Sequence, residues 1–66
     1  MFNVRGFLRD KLVIQTHMAH LPRNGDTIRL KEDLYVQVTE VIWCFDEGAS
    51  FHDPMRVNLR FEALKD

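Results

Sequence analysis

Apolar and polar residues alternate along most of this chain of 66 residues. That pattern is typical of β-strands that bury one face. It predicts strands over residues 2–9, 12–19, 27–31, 33–46 and 55–64, with Gly, Asn, Asp or Pro between most of them. The last is the most regular, because apolar residues occupy every odd position from 55 to 63.

The fourth predicted strand, 33–46, is unusually long and changes phase near its middle. Apolar residues hold the even positions up to Val38 and the odd positions from Val41 onward. A β-bulge at Thr39 and Glu40 would explain the change, because one extra residue turns the following side chains back to the first face and bends the strand. Alternatively, both faces are covered beyond Glu40. Long bent strands are typical of small barrels and orthogonal sandwiches.

We therefore expect one all-β domain over residues 1–66. Its expected architecture is a small antiparallel five-stranded SH3-like barrel or curled sheet, with a bent, long fourth strand. A hydrophobic content of 45% and five Phe favour a folded chain over a disordered one. A core of this size rarely supplies more than about 3–5 kcal/mol, so a homodimer is a natural expectation.

Composition also bears on location. No apolar run approaches the roughly 18 residues of a membrane span. The start of the chain lacks the basic and apolar regions of a secretion signal, and the single Cys44 cannot form an internal disulfide. We therefore expect a cytoplasmic protein without a membrane partner.

Two stretches together carry a resemblance to known proteins: Leu21 to Leu30, with a Leu-Pro pair and a Gly-Asp turn, and Tyr35 to Trp43. They resemble a pattern in many short phage and bacterial proteins, which are mostly uncharacterised small β-barrels. The resemblance implies a fold and a phage or mobile-element origin. It carries no catalytic residue to this chain.

Large aromatic residues suggest a protein-binding surface, because such residues are enriched at interface hot spots. The candidates are Tyr35, Trp43, Phe45 and Phe51. Without the bulge, Trp43 and Phe45 would lie outward beside Phe51, and with it they would join the core. A free edge of the third or fifth strand is a further way to pair with another chain. The first hypothesis is thus a small non-enzymatic protein-binding module, a phage accessory or host-protein inhibitor, that docks on a partner protein or forms a homodimer.

Arginine suggests a second hypothesis, a nucleic-acid-binding barrel. The net charge is −1, yet Arg outnumbers Lys by six to three, and Arg suits phosphate recognition. If the first strand neighbours the fifth, their arginines share an outer face, and an interleaved Phe offers a stacking platform. The candidates are Arg5, Phe7, Arg9, Arg29, Arg56 and Arg60. Cross-strand ion pairs, such as Arg60 with Asp10 or Glu62, are the alternative. A third hypothesis is a structural subunit of a larger assembly.

The sequence gives little support for catalysis or metal binding. His17, His20, Cys44 and His52 are zinc-binding residue types, but zinc normally takes close-spaced ligand pairs, and residues three apart on a strand face opposite ways. Cys44 lies among large apolar residues, as a small core residue does. The glycines stand alone, so no phosphate-binding loop is present. We expect no catalytic residue, metal, cofactor or small-molecule substrate.

Overall fold

The computed structural model describes residues 1–46 and 55–64, which form one mixed β-sheet curled into a half-barrel. Its strands are β1 (Phe2–Leu8), β2 (Lys11–Met18), β3 (Thr27–Lys31), β4 (Leu34–Trp43) and β5 (Met55–Ala63). No helix occurs in these residues, and the predicted all-β fold is confirmed. The loop predicted between the fourth and fifth strands, residues 47–54, lies outside the described residues. The likeness to an SH3-like barrel stays a prediction.

The strands lie in the order β2-β1-β5-β4-β3. Three neighbouring pairs are antiparallel, but β1 and β5 run parallel, with Phe2 opposite Met55 and Leu8 opposite Phe61. A parallel pair cannot be joined by a hairpin and needs a long connection, which β2, β3 and β4 provide here. The predicted antiparallel sheet therefore holds for three pairs, and the fourth makes the sheet mixed.

The bulge predicted in the long strand is confirmed. The register between β4 and β5 shifts between Val38 and Glu40, so Thr39 is the extra residue. The Thr39 hydroxyl donates a hydrogen bond to the carbonyl oxygen of Arg60 at 3.2 Å. Beyond the bulge, Trp43 returns to the face that holds Val38.

A second irregularity lies in β2. Gly6 is opposite Ile14, but Phe7 is opposite Leu12, so Val13 is an extra residue. The alternation in the sequence predicts Leu12 on the same face as Ile14. That placement is wrong, because the extra residue turns Leu12 to the outer face beside Phe7, where it is 46% exposed.

The core lines the concave face of the half-barrel and draws its buried members from the three central strands. These residues are Val4, Val36, Val38, Val57, Leu59 and Phe61. Partly buried apolar side chains from all five strands pack against them. The buried centre is small, so each of its members carries a large share of the stability.

The hairpin between β1 and β2 is strained. Its two central residues, Arg9 and Asp10, have positive φ angles of 52° and 63°, as a type I′ turn requires. Arginine tolerates this conformation poorly, whereas Asn-Gly adopts it readily.

Replacing the pair (Arg9→Asn with Asp10→Gly) is expected to stabilise the protein by about 1 kcal/mol, measured by urea denaturation. The lost ion pair between Asp10 and Arg60 spans 3.7 Å at an exposed position, so it offsets little. Asp10→Asn alone is the control, because it removes the charge and keeps a tolerant residue in the turn. A lower denaturation midpoint for the double variant would contradict the assignment of strain.

Candidate functional site

One end of the half-barrel gathers large apolar side chains. Trp43 ends β4, and its ring packs edge-on against Phe2 with 5.4 Å between the centroids and an 81° interplanar angle. Phe2 lies opposite Met18 of β2 and Met55 of β5. Phe45 follows two residues after Trp43. We call these five residues the aromatic end.

The aromatic end is only partly covered by the protein itself. Trp43 is 45% exposed and Phe45 77% exposed. Trp43 points to the core side of the sheet, yet it stays exposed because it lies at a strand end, where the half-barrel opens. Neither of the alternatives drawn from the sequence, core or outer face, describes Trp43 completely.

Tyr35 does not belong to this surface. It is 44% exposed but lies eight residues before Trp43 on the same strand, roughly 25 Å away at about 3.4 Å per residue. Its neighbour on β3 is Arg29, and its carbonyl oxygen accepts a hydrogen bond from the Leu64 amide at 3.0 Å. Phe51 lies outside the described residues. Of the predicted interface residues that the structure describes, Trp43 and Phe45 are therefore the two that lie close together.

The predicted edge pairing needs one correction. β5 lies between β1 and β4, so the prediction that its edge could pair with another chain is wrong. The reason is the parallel β1, which covers the side of β5 that a simple meander would leave open. Among residues 1–46 and 55–64, the free edges are those of β2 and β3.

The outer face of the sheet carries arginines, because β1 does neighbour β5. Strand alternation places Arg5 and Phe7 of β1 on the same face as Arg56 and Arg60 of β5. Phe7 lies opposite Arg60, and the Arg5 Nε donates a hydrogen bond to Oδ1 of Asn58 at 3.0 Å. Four of the six nucleic-acid candidates thus share one face.

Carboxylates balance the charge of one arginine on this face, Arg60. The Arg60 guanidinium lies 3.6 Å from a Glu40 carboxylate oxygen and 3.7 Å from one of Asp10, so the ion pair with Asp10 proposed from the sequence is present. Arg29 lies on β3, two strands away from β5, and Arg9 lies in the turn after β1. The six candidates do not form one continuous basic surface.

A shallow depression accompanies these arginines. It has a volume of about 220 Å³ and is lined by Phe7, Asp10, Ile42, Asn58 and Arg60. Enclosed ligand sites usually measure about 300–1,000 Å³, so this depression suits a contact surface better than a small-molecule site.

The comparisons with known proteins return nothing that bears on function. No family model, curated protein or solved structure matches this chain. The resemblance to small phage and bacterial barrels therefore stays a hypothesis. The function has to be inferred chiefly from the residues of this chain.

The residue types that suggested metal binding do not come together in the part of the chain that the structure describes. Cys44 is buried, with its sulfur 3.7 Å from the Ile42 carbonyl oxygen. Residues 1–46 and 55–64 contain no group of three or more His, Cys, Asp or Glu arranged to hold a metal ion. The same residues contain no helix that could cross a membrane.

Proposed function

We propose that this protein is a small non-enzymatic protein-binding module that docks on a partner protein through the aromatic end. The observation that carries the proposal is the exposure of Trp43 and Phe45 at one end of the half-barrel. Tryptophan in a packed apolar surround is the residue most often found at interface hot spots. Apolar surface exposed to water carries an unfavourable free energy, which weighs heavily in a chain with so small a core. A partner that covers this surface would remove that cost.

The geometry favours docking in two ways. The edge-on contact with Phe2 holds the Trp43 ring in place, so little conformational freedom is lost when a partner covers it. Met18 and Met55 flank the ring pair, and flexible thioether side chains adapt to partners of different shape.

The expected gain is large enough to matter. The exposed fractions of Trp43 and Phe45 correspond to roughly 250 Å² of ring surface. Covering that surface contributes about 6 kcal/mol before the costs of association are subtracted. Flanking contacts would supply the rest of a stable interface.

The proposal predicts that Phe45→Ala weakens partner binding at least about tenfold. Phe45 lies beyond the end of β4 and is mostly exposed, so the fold stays intact. The partner is first captured from a lysate of the source organism and purified, and its affinity is then measured by calorimetry. Tyr35→Ala is the matched control, because it removes an exposed aromatic ring far from the aromatic end. Equal affinities for the wild type and both variants would contradict the proposal.

The biological setting is the part of this proposal that rests on resemblance. A role as a phage accessory or host-protein inhibitor in the cytoplasm is consistent with the similarity of Leu21–Leu30 and Tyr35–Trp43 to small phage and bacterial proteins. Identification of the captured partner as a host protein is the result that this setting predicts.

Nucleic-acid binding is the second candidate function, and the pairing of β1 with β5 is the observation that favours it. It places Arg5, Arg56 and Arg60 on one face with Phe7 available for base stacking. The carboxylates of Asp10 and Glu40 weaken the case, because they neutralise Arg60. A salt-dependent titration with a single-stranded oligonucleotide discriminates the two functions, since phosphate contacts lose affinity steeply as salt rises.

A further inference from the structure

The two free edges of the sheet differ in how they are protected. β3 has five residues and carries two cations, Arg29 and Lys31. β2 has eight residues and no proline, and its one formal charge is Lys11 at the end of the strand. Proteins usually blunt exposed edges with short length, charge, proline or β-bulges. The two cations protect β3, whereas β2 has its bulge at Val13 and, beyond it, an uncharged stretch from Ile14 to Met18 without proline.

The edge of β2 is also open in the structure. β2 is the outermost strand of the sheet, and within residues 1–46 and 55–64 its backbone ladder joins it to β1 alone. Ile14 and Met18 are partly buried on the concave face, at the margin of the core. A strand added beside β2 would therefore continue both the sheet and the core.

We infer that β2 is a dimerisation edge, which pairs antiparallel with β2 of a second copy of this chain around a two-fold axis. A two-fold axis brings the same surface of both copies together, and an antiparallel strand pair satisfies that symmetry. This edge shares Met18 with the aromatic end but contains neither Trp43 nor Phe45, so the inference goes beyond the proposed docking function and does not rest on it.

The bulge at Val13 sets the register of this pairing. It interrupts the strand and leaves Ile14–Met18 as the regular part, whose centre is Thr16. Pairing about that centre places Thr16 opposite the partner's Thr16, a favourable cross-strand pair. Ile14 then lies opposite the partner's Met18 on the concave face, and Gln15 lies opposite the partner's His17 on the outer face.

Charge favours the antiparallel direction. Each Lys11 lies five residues from Thr16, so the two lysines are roughly 30 Å apart in the dimer. That separation exceeds the screening length of about 8 Å at physiological salt. A parallel pairing in register would instead bring the two lysines within about 5 Å of each other.

Cysteine cross-linking tests the register directly. In a Cys44→Ala background, Thr16→Cys is expected to give a disulfide-linked dimer under mild oxidation, because the paired Cα atoms lie within disulfide range. Thr27→Cys on the protected edge of β3 is the matched control and should stay largely monomeric. A mixture of Gln15→Cys and His17→Cys chains should cross-link more than either chain alone. Equal cross-linking at Thr16 and Thr27 would overturn the inference.

Solution mass provides the second measurement and needs no cysteine. Sedimentation equilibrium should show a dimer for the wild type and a monomer for Gln15→Glu with His17→Glu, since the pairing would bring four carboxylates together. Both side chains are exposed, so the monomer stays folded. A wild type that remains monomeric at high concentration would overturn the inference.

The failure of either proposal can be recognised separately. Phe45→Ala should leave the cross-linking at Thr16 unchanged, and the double glutamate variant should bind the docking partner as the wild type does. If Phe45→Ala also abolished the dimer, the self-interface would lie at the aromatic end and the β2 pairing would be wrong.

Discussion

Replacing Leu59 with alanine is expected to leave much of the protein unfolded at 25 °C. Leu59 lies in the middle of β5, the central strand, and its side chain is fully buried. Such a truncation costs about 2–5 kcal/mol, because the lost transfer energy is joined by the cost of a cavity. A domain of this size has only about 3–5 kcal/mol of stability in total. The loss is therefore comparable to the whole stability.

The same truncation at Leu12 is the matched control. Leu12 is 46% exposed on the outer face, so Leu12→Ala should cost less than about 1 kcal/mol. Urea denaturation followed by circular dichroism measures both variants. If the two variants had similar denaturation midpoints, Leu59 would not be the core residue that its place in the central strand predicts.

Adding a single methyl group at Gly6 is expected to destabilise the protein by about 2–3 kcal/mol. A Cβ atom there would lie 2.6 Å from Cγ2 of Ile14 and closer still to the ring of Phe61. The Phe61 ring covers the glycine from the neighbouring strand, as aromatic rings do over strand glycines. Phe61 is itself buried, so its ring has little room to move away.

Two further variants separate this overlap from a general effect of losing a glycine. Gly25→Ala should cost only about 1 kcal/mol, because Gly25 has open space around it and a φ angle of 98°. In a Phe61→Leu background, Gly6→Ala should cost at least about 1 kcal/mol less than in the wild type. Because the double variant has little stability left, the urea denaturation of all these variants is measured in trimethylamine N-oxide, which stabilises the folded state and keeps its baseline measurable. If the destabilisation by Gly6→Ala and that by Phe61→Leu simply added in the double variant, the overlap between the new methyl group and the Phe61 ring would be ruled out.

The strands are predictable from the sequence because alternation is a local signal. In β4 the phase change at Thr39 and Glu40 is enough to locate the bulge. The bulge in β2 leaves no such mark, because Leu12, Val13 and Ile14 are all apolar and fit equally well in either phase. Strand direction is also hidden, since the pattern of β5 is the same whether β1 runs parallel or antiparallel to it.

The candidate surfaces are predictable only in part, because they depend on long-range order. Trp43 and Phe45 are close in sequence and remain neighbours in the fold. Tyr35 shares their residue type, but the length of β4 separates it from them. Phe2 is not among the residues predicted for this surface, since the alternation only places it on the same face as Val4. The signal that could have identified Phe2 is its position as the first residue of β1, because a ring at a strand end is left partly exposed.

The most direct test of the docking surface is acrylamide quenching of Trp43 fluorescence in the free protein and with the partner at saturation. Trp43 is the one tryptophan of the chain, so its emission reports on the aromatic end alone. We expect Trp43 to be quenched readily in the free protein, and to be protected with a shift of emission to the blue in the complex. Trp43 that is shielded in the free protein, or that stays equally quenchable in the complex, would contradict the assignment of the aromatic end as the docking surface.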